Sequence, residues 1–135
     1  MLIWNASRHI LHPVEIFKEF SFDAAHRLPE VPMDHKCSRF HGHRYAVRLQ
    51  VSGPVALKDG WLMDFGRITE VFQPILDQLD HSCLNDIEGL DNPTCETICR
   101  WIWKKLKPGL PDLSQVAVLE TPTSGCIYRG EGEAV

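Results

Sequence analysis

Hydrophobic and polar residues alternate along two stretches in the first half of the chain. In residues 14–26 the even-numbered positions are mostly apolar, with Lys18 as an exception and His26 at the end. In residues 44–51 every odd-numbered position is apolar or aromatic, from Tyr45 to Val51. Because strand side chains of equal parity share one face, this pattern predicts two strands, each with one buried face.

Apolar residues recur at three- and four-residue steps in two later stretches. Residues 68–79 and 95–106 each carry such a stripe, which predicts two amphipathic helices. Asp64 and Thr94 are suited to cap their N-termini, because their side-chain oxygens can accept hydrogen bonds from free backbone N–H groups. Pro74 lies inside the first helix and is expected to kink it.

Two shorter strands are expected after the helices, over residues 115–121 and 126–129. The order strand, strand, helix, helix, strand, strand predicts an α+β domain in which an antiparallel sheet carries both helices on one face. We expect residues 14–135 to form this single domain. Residues 1–13 form an N-terminal extension, which we expect to be disordered or to add a few residues of strand.

Composition narrows the classes of function. The chain has 135 residues and a formal net charge of -4, which argues against a general surface for nucleic acid or anionic membranes. No apolar run approaches the ~18–20 residues that a membrane span needs. The 5 cysteines are an odd number scattered through the chain, which is typical of reduced thiols in a cytoplasmic protein.

Three histidines are candidate metal ligands. His41 and His43 stand two residues apart where the second strand begins, and His26 shares the apolar parity at the end of the first strand. If the strand reaches back to His41, both imidazoles of the pair point to the buried side. Zinc suits an imidazole set, and three protein ligands leave a fourth position for water or substrate. Two alternatives remain open: Cys37 closes a structural site as the fourth ligand, or the histidines bind no metal.

Cys37 is also a candidate base or nucleophile. It lies four residues before His41, between the basic residues Lys36 and Arg39. A neighbouring dication and these positive charges favour a thiolate, which is the reactive form of cysteine. The alternative is a buried thiol that acts only as a small hydrophobic residue.

Three later residues could take part in chemistry. Asp80 and His81 could act as an orienting carboxylate and a proton shuttle, although adjacent residues seldom hydrogen-bond each other in regular structure. Glu120 ends an apolar strand, where a carboxylate is costly to bury without a partner. A ligand that offers two parallel N–H donors would satisfy both of its oxygens.

Five stretches together resemble one enzyme family. They are residues 22–28, 35–43, 79–87, 92–94 and 120–130, and they include Ala-Ala-His-Arg-Leu, Cys-Ser-Arg-Phe-His-Gly-His, Leu-Asp-His-Ser-Cys-Leu-Asn-Asp, Asn-Pro-Thr and Glu-Thr-Pro-Thr-Ser-Gly. On these residues the chain resembles the 6-pyruvoyltetrahydropterin synthase superfamily from about residue 17 to residue 130, most closely its bacterial 6-carboxy-5,6,7,8-tetrahydropterin synthase branch. Ser38 stands where that family commonly has glycine.

The resemblance implies a tunnelling fold, in which the sheets of several subunits join into a barrel. The family commonly forms hexamers, with active sites at the subunit interfaces. The resemblance also implies a role for each candidate residue: one zinc ion per chain on His26, His41 and His43, proton acceptance by Cys37, an acid–base relay of Asp80 and His81, and a pterin anchor at Glu120.

The reaction implied by this resemblance starts from 7,8-dihydroneopterin triphosphate. It yields 6-carboxy-5,6,7,8-tetrahydropterin, acetaldehyde and triphosphate, in queuosine (7-deazapurine) biosynthesis. Arg27, Lys36 and Arg39 are candidate contacts of the triphosphate. The residues named do not separate this reaction from that of 6-pyruvoyltetrahydropterin synthase, which eliminates triphosphate from the same substrate. A zinc-stabilised binding module without turnover is the more distant alternative.

Overall fold

The computed structural model describes residues 10–132 and has an α+β architecture. A five-stranded sheet has the order β3-β1-β2-β4-β5. Its strands are β1 (Ile10–His26), β2 (His41–Ala56), β3 (Ser82–Cys83), β4 (Leu113–Thr121) and β5 (Ser124–Tyr128). The helices are α1 (Phe65–Leu79) and α2 (Cys95–Leu106). The α+β class and the two helices confirm the prediction from the sequence pattern.

The two alternating stretches pair with each other along their whole length. The antiparallel ladder of β1 and β2 ends where His26 lies opposite His41, and Ala24 lies opposite His43. Strand β2 therefore begins at His41, as the metal-site hypothesis requires. Strand β1 begins at Ile10 and not at residue 14, so part of the expected N-terminal extension belongs to the sheet. Residues 1–9 lie outside the described residues.

Strand β3 was not predicted from the sequence. Its two residues pair in parallel with Ala24 and Ala25 of β1, so the sheet is mixed and not wholly antiparallel. The chain reaches this position directly after α1, where the His81 N–H donates to the Asp23 carbonyl at 2.6 Å. A two-residue strand is too short to show an alternating pattern, which explains why it was missed.

Both helices begin at the predicted capping residues. The Asp64 side chain accepts from the Gly66 N–H before α1, and the Thr94 side chain accepts from the Thr97 N–H before α2. Pro74 is accommodated inside α1, which continues to Leu79.

The helices cover one face of the sheet and form a single hydrophobic core with it. The strand positions in this core have the predicted parity, from Tyr45 to Val51 on β2. The opposite face carries cross-strand ion pairs, such as Arg44 with Asp23 and Arg48 with Glu19. None of the helices in residues 10–132 is long and apolar enough to cross a membrane.

Candidate metal centre and active site

Three imidazoles converge at one end of the β1–β2 ladder. His26 ends β1 and is fully buried, while His41 and His43 begin β2 and are half-buried. One ring nitrogen from each lies within 4.8 Å of the other two. The strand register explains this arrangement, because His26 and His41 are paired residues and His43 follows on the same face of β2.

Backbone carbonyls define the protonation of two of these rings. The Nδ1 atom of His26 lies 2.9 Å from the Pro93 carbonyl oxygen, and the Nδ1 atom of His41 lies 2.8 Å from the Arg39 carbonyl oxygen. A carbonyl oxygen can only accept, so Nδ1 carries the proton in both rings. The Nε2 lone pairs of His26 and His41 are therefore free to bind a cation.

The free nitrogens lie in an arrangement that fits a metal ion. The Nε2 atoms of His26 and His41 are 3.0 Å apart, and both carry lone pairs in the tautomers described above. The Nε2 atom of His43 is buried and has no hydrogen-bond partner among the described residues. Buried polar atoms are normally satisfied, so this orphaned nitrogen indicates a missing partner. The three residues are therefore able to bind a metal ion.

Burial also favours the neutral form of His26 and His43, which is the form that binds a metal. Desolvation lowers the pKa of His26 below its usual value, and the nearby His41 and His43 lower it further, although the Pro93 hydrogen bond and Glu120 oppose this. Desolvation likewise lowers the pKa of His43. Neutral imidazoles are the ligand form, so both shifts favour metal binding at neutral pH.

Glu120 places a carboxylate beside the histidine cluster. It follows Leu119, which pairs with Ala46 of β2. Its oxygens lie 3.7 Å from Nε2 of His43 and 3.9 Å from Nε2 of His26, which is beyond hydrogen-bonding distance. The carboxylate therefore adds negative charge next to the cluster without occupying a ligand position.

A pocket of about 260 Å³ adjoins this carboxylate. Its lining combines the start of α2 with the β4–β5 turn, and consists of Leu28, Thr94, Cys95, Glu96, Glu120, Ser124 and Gly125. Glu120 is therefore accessible to a small polar ligand that would lie close to the histidines.

Cys37 lies in a one-turn 3-10 helix, Lys36–Ser38, between β1 and β2. Its N–H donates to Nδ1 of His35 at 3.0 Å, and its carbonyl accepts from the Leu28 N–H at 2.7 Å. The side chain is half-buried. Two groups of side chains in residues 10–132 could hold a metal ion, His26 with His41 and His43, and Asp23 with Asp80 and His81, and neither group includes Cys37.

Asp80 and His81 form a hydrogen-bonded pair after α1. Nδ1 of His81 lies 3.0 Å from Oδ1 of Asp80, which also accepts from the Asp23 N–H at 3.0 Å. The Asp23 hydrogen bond and His81 lower the pKa of the Asp80 carboxyl. His81 adopts a left-handed φ of 59°. His81 and His43 line one open pocket of about 410 Å³.

The three candidate phosphate contacts are placed differently from one another. The guanidinium of Arg27 lies 5.9 Å from the centre of the Phe40 ring. Lys36 and Arg39 are exposed on the loop before β2. Arg39 also contributes to the histidine cluster through its backbone carbonyl.

Several residues that hold the surroundings of His26 in place were not predicted from the sequence. Tyr45 was assigned to the core by its parity, yet its hydroxyl lies 3.2 Å from Nδ1 of His26. Asn85 pairs with both the N–H and the carbonyl of Arg27, directly after His26. The polar group of Tyr45 was the available signal, because a phenol within an apolar face needs a partner. The carbonyls of Pro93 and Arg39 have no signal in the sequence.

Fold and site together define an α+β protein with a cluster of three histidines, able to bind a metal ion, at one end of its sheet. The sequence profile of the 6-pyruvoyl tetrahydropterin synthase family matches residues 15–131. The chain belongs to this family.

Relatives and one solved structure agree with this assignment. A Synechocystis protein named 6-carboxy-5,6,7,8-tetrahydropterin synthase is 43% identical over 119 residues, which cover 84% of this chain and 91% of the relative. A Bacillus subtilis protein of the same name is 33% identical over 132 residues, with 87% and 88% covered. The structure of Caenorhabditis elegans 6-pyruvoyl tetrahydropterin synthase has a TM-score of 0.83 at 27% identity, with 90% of this chain and 99% of that chain covered.

Proposed function

We propose that this chain is a zinc-dependent 6-carboxy-5,6,7,8-tetrahydropterin synthase. It converts 7,8-dihydroneopterin triphosphate and one water molecule to 6-carboxy-5,6,7,8-tetrahydropterin, acetaldehyde and triphosphate, as a carbon–carbon lyase of queuosine biosynthesis. The observation that carries the proposal is the orphaned Nε2 of His43 beside two further imidazole lone pairs. The names of the Synechocystis and Bacillus subtilis relatives support the choice of reaction.

His26, His41 and His43 bind one zinc ion per chain in this proposal. Imidazole nitrogen is a favoured zinc ligand, and a set of three leaves one coordination position open. When bound, zinc supplies Lewis-acid polarisation of the oxygens on the substrate side chain. The carbonyls of Pro93 and Arg39 hold the first two rings in the ligand tautomer.

Glu120 binds the pterin ring. A pterin presents adjacent N–H donors on its pyrimidinone edge, and a carboxylate can accept from two such donors at once. The pocket beside Glu120 and the short distance from its carboxylate to His43 support this role, because a ring bound there would lie next to the three histidines. Arg27, Lys36 and Arg39 supply positive charge for the triphosphate.

Proton transfer is assigned to Cys37, Asp80 and His81. Cys37 accepts a proton from the substrate side chain, and His81 returns one to the ring system. Asp80 orients His81 through the 3.0 Å contact between their side chains. Because the Asp80 carboxylate accepts from the Asp23 N–H of β1, the pair is held beside that strand.

We further propose that the catalytic domain, predicted over residues 14–135 and extended back to Ile10 by β1, acts in a cytoplasmic homo-oligomer. In this proposal the oligomer is a hexamer, with sheets joined across subunits into a barrel. Strand β5 lies at an edge of the sheet formed by the described residues, so its outer backbone groups are available to a second strand. Active sites at the subunit interfaces would bring residues of neighbouring chains to the exposed His81.

The second candidate is 6-pyruvoyltetrahydropterin synthase activity, which the similarity to the Caenorhabditis elegans structure favours. Both reactions release triphosphate, but only the carboxy reaction releases acetaldehyde. Incubation of the zinc-loaded protein with 7,8-dihydroneopterin triphosphate, followed by mass spectrometry, separates them. We expect 6-carboxytetrahydropterin and one equivalent of acetaldehyde. A pyruvoyl product without acetaldehyde would select the second candidate, and an unchanged substrate with zinc bound would indicate a non-catalytic binding module.

A further inference from the structure

Tyr45 is the polar member of an otherwise apolar row on β2. The residues that follow it on the same face are Val47, Leu49 and Val51, and all four side chains are fully buried. The Tyr45 ring stacks on Phe22 with 4.9 Å between centroids and 12° between planes. A phenylalanine would supply the same ring contact, and burial of a hydroxyl is costly unless it is hydrogen-bonded. The buried hydroxyl of Tyr45 therefore needs a hydrogen-bond partner, which a phenylalanine would not.

The Tyr45 hydroxyl interacts with the ring of His26. The phenol oxygen lies 3.2 Å from Nδ1 of His26, whose proton also points to the Pro93 carbonyl at 2.9 Å. Since that carbonyl cannot donate, the proton belongs to Nδ1, and the phenol oxygen is its second acceptor. Two acceptors at the same ring nitrogen favour the Nδ1-protonated tautomer and restrain the orientation of the imidazole.

The Tyr45 side chain is fully buried in the hydrophobic core beside the histidine cluster. The Tyr45 ring also lies edge-on to His26 and His43, with centroids 6.0 and 5.5 Å away.

We propose that Tyr45 is a positioning residue of the metal centre, and that its hydroxyl, together with the Pro93 carbonyl, holds His26 in the orientation that binds metal. This inference rests on the metal site of the proposed function. It assigns Tyr45 a role through His26, without contact between Tyr45 and the metal or the substrate. Partners that hydrogen-bond a ligating histidine typically contribute 10–100-fold to metal affinity.

The direct test is the zinc affinity of Tyr45→Phe, measured by competition with a chromophoric chelator. This variant keeps the ring, its stacking on Phe22 and its edge contacts, and removes only the oxygen. The matched control is Tyr128→Phe. Tyr128, the other tyrosine of the chain, lies in β5 and packs on Trp103 of α2. We expect affinity about 10–100-fold weaker in Tyr45→Phe and unchanged in Tyr128→Phe.

Cobalt substitution provides a readout that a general loss of stability would not change. The visible ligand-field bands of Co²⁺ report the geometry of the ligands, so a reoriented His26 shifts them in folded Tyr45→Phe. A folded Tyr45→Phe protein with wild-type zinc affinity and an unchanged cobalt spectrum would overturn the proposal. Wild-type protein that binds no zinc would instead refute the metal site itself, so the two failures are distinguishable.

A measurement on the wild-type chain covers the case in which Tyr45→Phe does not fold. In ¹⁵N-histidine-labelled, metal-free protein, long-range ¹H–¹⁵N spectra identify the tautomer of each ring. We expect His26 to carry its proton on Nδ1, in slow exchange and with cross-relaxation to the ring protons of Tyr45. A His26 ring protonated on Nε2, or an Nδ1 proton in rapid exchange with water, would overturn the role of Tyr45.

Discussion

The Nε2 atoms of His26 and His41 lie 3.0 Å apart while both rings place their proton on Nδ1. Two lone pairs at this distance repel each other unless a cation or a proton lies between them. The backbone carbonyls of Pro93 and Arg39 thus build an arrangement that is unfavourable when empty and favourable when it binds a positive ion.

Replacement of His41 or His43 by alanine is expected to remove most of the bound zinc. Each substitution deletes one of three ligands, and two imidazoles do not form a closed zinc site. Metal content per chain by plasma mass spectrometry is the measurement. His81→Ala is the matched control, because His81 lies outside the histidine cluster, and it should retain one zinc per chain. Stoichiometric zinc in the His26, His41 and His43 triple alanine variant would disprove the site.

Cys37→Ala is expected to keep zinc and fold but to lose turnover. The cluster contains three imidazoles without the Cys37 thiol, so the metal should stay bound when the proton acceptor is removed. General base catalysis contributes about 10²–10⁴-fold, which is the expected loss in kcat. Cys83→Ala is the control, because Cys83 is another half-buried cysteine, located in β3. Loss of zinc in Cys37→Ala would instead support the closed structural site.

Glu120→Gln is expected to weaken pterin binding strongly. The substitution preserves size but places an amide donor against a donor of the pterin edge. Loss of a charge-assisted pair with an unsatisfied donor costs roughly 2–4 kcal/mol, which corresponds to about thirty- to a thousand-fold in affinity. Calorimetric titration with a pterin analogue measures this difference.

The Glu120 experiment has two internal controls. Glu70→Gln changes an exposed glutamate that pairs with Arg67 on α1, and it should bind the analogue like the wild type. Zinc content should be unchanged in Glu120→Gln, because the carboxylate is 3.7 Å or more from the imidazole nitrogens. Equal analogue affinity in wild type and Glu120→Gln would remove Glu120 from the pterin site.

The stability of the metal-free protein is expected to fall as the pH is lowered through about 6.5, the ordinary histidine value. The pKa values of His26 and His43 are lowered in the folded state, mainly by desolvation. The unfolded chain therefore binds more protons in this range, so the free energy of unfolding increases with pH. The contribution is fully present above the unfolded pKa and is lost as the pH falls through the folded values.

Urea unfolding of the metal-free protein at several pH values between 8 and 5 measures this effect. The variant His43→Gln replaces one of the two responsible rings by a side chain that does not titrate, so its stability should depend less on pH. A free energy of unfolding that rises on acidification would contradict the buried, neutral state of these histidines.

The sequence was sufficient to predict the face of the sheet that carries the histidine cluster. Strand side chains repeat every second residue, so the apolar parity of Phe22 and Tyr45 also defined the direction of His26 and His43. The capping residues Asp64 and Thr94 were predictable for a similar reason, since N-caps depend on local chemistry. These features follow from short-range rules that a single sequence contains.

Other features depend on how distant segments meet. Strand β3 exists because the His81 N–H reaches the Asp23 carbonyl, a contact over a long stretch of chain. The hydrogen bond between the Pro93 carbonyl and His26 depends on the path of the loop before α2 and involves no side chain of Pro93. Tyr45 was interpreted as core because parity describes which side a residue faces and not what its hydroxyl contacts.

Because His26 pairs with His41, binding of one metal ion by all three histidines requires the native register of β1 and β2. A shift of β2 by one residue would place Gly42 opposite His26 and turn His41 and His43 to the other side of the sheet. Only chains in the native alignment can then assemble all three ligands. A bound ion stabilises the species that binds it, so zinc would enrich the correctly paired hairpin over slipped ones during folding.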